Sequence, residues 1–78
     1  MAQININNIE KIEKTRNYVH EIVNATYTVF ECDEKRYMQI DTYGREEREI
    51  PGKISQSIQL DRDMAQYIIN LLKQEFDL

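Results

Sequence analysis

The sequence predicts an α+β fold in the order α-β-β-β-α, with a three-stranded antiparallel sheet, a C-terminal helix packed on it and an N-terminal helix. Three observations predict it. Apolar residues recur every three or four positions over residues 5–24, apolar and polar residues alternate between 25 and 60, and a wide apolar band runs through 62–76. We therefore divide one 78-residue domain into an N-terminal helical segment (1–24), a sheet (25–60) and a C-terminal helix (61–78).

The first segment, Asn5–Asn24, has the spacing of an amphipathic helix. Arg16 interrupts the apolar stripe at a position where another apolar side chain is expected. The stripe consists of Ile6, Ile9, Ile12, Val19, Ile22 and Val23.

The middle of the chain alternates in the manner of β-strands. From about Ala25, β-branched and aromatic residues favour a first strand, and Arg36–Tyr43 returns as the second strand of a hairpin. The connection is expected at Asp33-Glu34-Lys35. Gly44–Lys53 is predicted to be a loop, punctuated by its glycines and proline, and Ile54–Leu60 the third strand.

The C-terminal helix is the element with the strongest pattern. Asp61 is a suitable N-cap, because its carboxylate can accept the free amide hydrogens of the first turn. Good helix formers separate the apolar residues over 62–76, and the band comprises Met64, Ala65, Ile68, Ile69, Leu71, Leu72 and Phe76.

Alternation assigns the strand residues to two faces. We expect the aliphatic set to lie under the C-terminal helix: Tyr27, Val29, Met38, Ile40, Ile58 and Leu60. The opposite face then carries Thr28, Phe30, Tyr37, Gln39, Asp41, Tyr43, Ser55, Ser57 and Gln59. Rings among amides and hydroxyls suit stacking and hydrogen bonding to a partner. The alternative is that the N-terminal helix or a dimer mate half covers this face.

The predicted loop contains three cations, Arg45, Arg48 and Lys53, that could contact phosphates beside the aromatic face. Three glutamates in the same loop cancel their charge, so an ordinary solvated loop with local ion pairs is the alternative.

Composition argues against catalysis. His20 is the only histidine and Cys32 the only cysteine, so triads, disulfides and clustered His or Cys metal sites lack their residues. We therefore expect no enzymatic activity, no catalytic or metal-binding residue and no cofactor. The net charge of −4 contains no basic arm for nonspecific DNA binding.

Location and assembly follow from the same features. A lone thiol, with no apolar stretch suited to export or to a membrane span, predicts a cytoplasmic protein without a membrane partner. A chain this short buries only about 60% of its unfolded surface, so we expect a homodimer.

One resemblance covers about residues 36–76. The loop ending in Pro51-Gly52-Lys53, the strand Ser55–Leu60 and the acid-capped helix are similar to the closing half of the transcriptional positive-cofactor family. That likeness implies a curved sheet and helix that dimerise and bind single-stranded nucleic acid, although the family has four strands, no leading helix and a basic face. The stretch 40–61 also resembles small bacterial proteins, some encoded near defence systems or mobile elements.

Two functions follow as hypotheses. In the favoured one, the protein is an acidic, non-enzymatic regulator that binds a larger host protein, as a phage or mobile-element accessory or inhibitor of defence or nucleic-acid processing. In the alternative, it is a dimeric single-stranded nucleic-acid-binding module. Both hypotheses use the same predicted binding face, Phe30, Tyr37, Gln39, Asp41, Tyr43, Ser57 and Gln59, with loop contacts from Arg45, Arg48 and Lys53.

Overall fold

The protein has an α+β fold with one mixed sheet of four strands and one C-terminal helix. A computed structural model describes residues 1–44 and 52–78. The elements are β1 (Ala2–Gln3), β2 (Ala25–Cys32), β3 (Lys35–Tyr43), β4 (Ile54–Leu60) and α1 (Arg62–Phe76). The sheet order is β1-β4-β3-β2. The prediction of a three-stranded antiparallel sheet is wrong, because β1 adds a fourth strand that pairs parallel with β4.

Strands β2 and β3 form the predicted hairpin. Phe30 lies opposite Tyr37, and the antiparallel register continues to Cys32 opposite Lys35. The turn is therefore shorter than predicted, because Lys35 already belongs to β3. Asp33 and Glu34 both have positive φ, 52° and 65°. A two-residue turn with this left-handed backbone matches the right-handed twist of the strands that it joins.

Strand β4 has the predicted bounds and pairs antiparallel with β3, with Ile40 opposite Ile58. The register shifts between Thr42 and Tyr43. Because side chains alternate along a strand, this pairing aligns the aliphatic residues of three strands on one face and the polar residues on the other.

The prediction of an N-terminal helix over residues 5–24 is wrong. Ala2 and Gln3 instead pair parallel with β4, and Ile4 N–H donates to the Gln59 carbonyl at 3.1 Å. A turn follows, in which the Asn5 side chain accepts from the Asn7 amide at 2.8 Å. Residues 9–24 form no helix or strand. Asparagine side chains that bond to nearby backbone compete with a helical first turn, which disfavours a helix at the start of the segment.

The C-terminal helix is confirmed over Arg62–Phe76. Its N-cap is Asp61, whose carboxylate accepts from the Met64 amide at 2.8 Å. Asp77, at φ 56°, ends it in the left-handed conformation and donates its amide to the Lys73 carbonyl. No helix within residues 1–44 and 52–78 is long and apolar enough to cross a membrane.

The core is small and lies where α1 crosses β4. Met64 is fully buried and Leu60 is 9% exposed. The expectation that the helix covers the whole aliphatic set is wrong, because four of its members remain exposed. The helix contacts the sheet mainly through β4, near Leu60 and Met64, so strand positions away from that contact are left open. The exposed members are Tyr27 (68%), Val29 (50%), Ile58 (42%) and Ile40 (39%).

Candidate binding surface

The face of the sheet opposite these aliphatic residues, here called the polar face, is built by matched positions on three strands. Gln39 of β3 lies between Thr28 of β2 and Gln59 of β4, and Asp41 lies between Thr26 and Ser57. The register thus brings together six of the predicted binding residues, Phe30, Tyr37, Gln39, Asp41, Ser57 and Gln59.

A hydrogen-bonded chain of side chains occupies the middle of the polar face. Gln59 Nε2 donates to Gln39 Oε1 at 2.7 Å, and Gln39 Nε2 donates to Asp41 Oδ1 at 2.9 Å. The Ser57 hydroxyl donates to the same carboxylate oxygen at 2.5 Å. Asp41 and Ser57 are each only 6% exposed. These groups satisfy one another, so they primarily hold β3 to β4 and offer few free donors to a ligand.

The aromatic part of the polar face lies toward the hairpin turn. The rings of Phe30 and Tyr37 stack with their centroids 5.5 Å apart and their planes at 20°. Phe30 is 37% exposed and Tyr37 is half-buried. The third predicted aromatic, Tyr43, is at the other end of β3, where its hydroxyl lies 3.0 Å from the Thr26 hydroxyl. The Phe30–Tyr37 pair is therefore the aromatic surface that a partner can reach at this end of the sheet.

The predicted loop contacts are only partly within the described chain. Lys53 is exposed just before β4. Arg45 and Arg48 lie outside the described residues, so their contact with phosphate stays a prediction. On the polar face, β3 carries Lys35 at its hairpin end and the buried Asp41 further along the strand, and the carboxylate of Asp41 is unfavourable for a phosphate group.

Strand β2 presents a backbone edge that the sequence analysis missed. All eight of its residues are exposed, and within the described chain it pairs only with β3. The Asn24 carbonyl accepts from the Tyr43 amide at 3.0 Å, which identifies pair 24/43 as hydrogen-bonded. Antiparallel pairs alternate, so the outward-directed backbone groups belong to the intervening residues, Ala25, Tyr27, Val29 and Glu31.

Open edges of this length are usually protected by proline, lysine or a bulge, and β2 contains none of them. Glu31 is its one charged residue, and it pairs with Arg36 across the hairpin at 3.5 Å. The sequence did contain a signal for this open edge. The segment before β2, residues 5–24, has no strand-like alternation, so it offers no neighbouring strand to pair with the outer side of β2. We define the edge surface as these four outward-directed residues together with the Phe30–Tyr37 pair.

The titratable side chains that the sequence singled out are dispersed. Cys32 is exposed at the end of β2. In the N-terminal segment the ring centroids of His20 and Tyr18 lie 4.6 Å apart. Among the described residues no three His, Cys, Asp or Glu side chains are grouped so that they could hold a metal ion.

No family model matches the chain, and no curated protein or solved structure matches it.

Proposed function

We propose that this protein is a non-enzymatic binding protein that captures an extended segment of a larger protein along the edge surface. The observation that carries the proposal is the unprotected outer edge of β2, with alternate N–H and C=O groups directed away from the sheet. A partner segment that adds as a further strand would satisfy these groups, and main-chain hydrogen bonds supply affinity in such strand addition.

The Phe30–Tyr37 pair adds an aromatic contact at one end of the edge surface, where it could give the interaction specificity. Aromatic side chains contribute disproportionately to protein interfaces, because they bury a large area at a small cost in conformational entropy. The pair lies beside the hairpin turn, so a partner strand on β2 would place its own side chains against these rings.

Charge indicates the chemistry of the partner. The chain carries −4, so electrostatic attraction favours a basic segment. A small acidic binder of this kind suits an accessory or inhibitor encoded by a phage or mobile element, acting on a host defence or nucleic-acid-processing protein.

The backbone contribution is tested by two variants of one position. Tyr27→Pro and Tyr27→Ala both remove the ring, but only proline removes the outward amide hydrogen. A partner is first captured from extract of the producing cell and purified, and its Kd is then measured for each variant. The affinity should be about 2- to 10-fold weaker for the proline variant than for the alanine variant. Equal affinities for the two variants would contradict strand addition.

The ring contribution is tested separately. Tyr37→Ala should weaken partner binding by ~1–2 kcal/mol, about 5- to 30-fold in Kd. Tyr67→Ala is the matched control, because Tyr67 is an exposed tyrosine of the helix at 38%. If the two variants bind alike, the aromatic pair is not part of the interface.

The second candidate function, single-stranded nucleic-acid binding, is supported by the stacked ring pair alone. Bases can stack on such rings, and each stacked base contributes about 1–3 kcal/mol. The hydrogen bonds among Gln39, Asp41 and Gln59 count against it, because they occupy the amides expected to read bases. Anisotropy titration with a labelled oligonucleotide at low salt separates the two functions. Affinity that falls steeply as salt rises supports this second candidate.

A further inference from the structure

An apolar cleft opens between α1 and the part of the sheet that the helix leaves uncovered. Near the start of the helix, Ala65 lines it together with Val29, Met38 and Leu60. Positions 69, 72 and 76 continue the side of the helix that Ala65 occupies, because spacings of three and four lie on one helical face. Exposed apolar residues extend from this cleft on the same face of the sheet and the same side of the helix: Tyr27, Val29 and Ile40 on the sheet, and Ile69 (47%), Leu72 (42%) and Phe76 (70%) on the helix.

We propose that a second copy of this chain covers the cleft, so that the protein is a two-fold dimer in which two clefts close against each other. The surface area of the single chain supports this. Its accessible surface is 7433 Å², whereas a folded monomer of 9.4 kDa exposes about 5,000 Å². The radius of gyration, 14.9 Å, likewise exceeds the ~11.5 Å expected for a compact chain of 78 residues.

The excess matches what a stable dimer buries. The chain exposes roughly 2,400 Å² more surface than a compact monomer of its mass would. Permanent dimers bury about 1,000–2,500 Å² per subunit. The single chain has a correspondingly small core, with Leu60 and Met64 its buried hydrophobic residues within the described part. Burial of the cleft residues would therefore complete the hydrophobic core of each subunit.

A second copy also fits the charge of the cleft. Its lining contains Arg36, Arg62 and Asp61 beside the apolar residues, so both signs of charge are present where two copies would meet. A symmetric contact between such surfaces is self-complementary, as two-fold dimers require.

The N-terminal segment adds apolar surface for the second copy. Lys11 lies near the end of the helix, where it forms an exposed ion pair with Glu75 at 3.6 Å. Beyond this ion pair Val19 is 98% exposed and Ile22 is 100% exposed. A partner subunit that reached this segment would bury these side chains and gain the corresponding apolar contact area.

Sedimentation velocity of the full chain from 1 to 100 µM tests the proposal with two adjacent substitutions. Val29→Lys places a charge in the cleft, whereas Thr28→Lys places the same charge on the polar face of the same strand. We expect dimers for the unsubstituted protein and for Thr28→Lys, and a dimer about 100-fold weaker for Val29→Lys, because the second copy would bury an unpaired charge. A monomer at every concentration, or equal dimerisation by both variants, would overturn the proposal.

Thermal unfolding keeps the test decisive if Val29→Lys fails to fold. The melting temperature of the unsubstituted protein should rise as its concentration is raised 100-fold, because association stabilises only the folded chain. A melting temperature independent of concentration would overturn the proposal. The cleft and the edge surface share Tyr27 and Val29, but dimerisation is measured on the protein alone, whereas capture is measured with the partner through the proline and alanine variants of Tyr27 and through Tyr37→Ala. Either proposal can therefore fail in these assays without the other.

Discussion

The buried hydrogen bond between Ser57 and Asp41 should make a measurable contribution to stability. Both side chains are 6% exposed, and the hydroxyl donates to an acidic side chain. Hydrogen bonds to charged groups contribute about 1.5–3 kcal/mol, so Ser57→Ala should lower the free energy of unfolding by ~2 kcal/mol. For a domain of this size that loss corresponds to a melting temperature roughly 8–16 °C lower.

The control is Ser55→Ala, on the same strand two residues earlier, where the serine is exposed. Its free energy of unfolding should change by less than about 0.5 kcal/mol. Urea unfolding followed by circular dichroism, at one fixed protein concentration, measures both variants. If Ser57→Ala and Ser55→Ala agree within 0.5 kcal/mol, the polar face is not held together by this bond.

Two further variants test local features of the fold, and a third tests the N-terminal segment. Asp61→Ala should lower the free energy of unfolding by ~1 kcal/mol, because the Met64 amide loses its cap, whereas Asp61→Asn should retain most of it; urea unfolding compares the two. Glu34→Gly should raise the melting temperature by roughly 2–8 °C in calorimetry, since glycine adopts a positive φ without strain, and an unchanged or lower value would contradict the turn geometry. Replacing Val19 with serine should weaken the dimer about 3- to 10-fold in sedimentation if a second subunit buries it, and unaltered dimerisation would show that it stays exposed.

The sequence predicted those elements whose pattern is local and long. Helix α1 has a capping aspartate and an apolar band over four turns, and both survive in the structure. The hairpin and β4 were found from their alternation, with an error of one residue at Lys35. In these segments local propensity and the final packing agree, which is the condition under which pattern reasoning succeeds.

The N-terminal segment shows why the remainder was not predicted. A two-residue strand such as Ala2–Gln3 is too short to display alternation, and only its parallel pairing with β4 defines it. The apolar stripe of residues 5–24 has helical spacing, but helical spacing specifies a helix only when its apolar face is packed. In the structure no described element covers Val19 or Ile22.

The sequence predicted which residues form the polar face, but not the hydrogen bonds that join them. Alternation correctly placed Gln39, Asp41, Ser57 and Gln59 on one face. The hydrogen bonds among them depend on which residues of β3 and β4 lie opposite each other, and register is a property of the pairing rather than of either strand. The exposed edge of β2 is equally nonlocal, because it depends on what lies beside the strand.

Site-resolved amide hydrogen exchange, with and without the captured partner, tests strand addition at β2 most directly. In the free protein, amides of residues 26, 28, 30 and 32 should be protected by β3, whereas those of 25, 27, 29 and 31 should exchange rapidly. We predict that the partner slows the second set selectively. A complex that leaves the second set exchanging rapidly, or that protects both sets equally through stabilisation alone, would contradict capture along this edge.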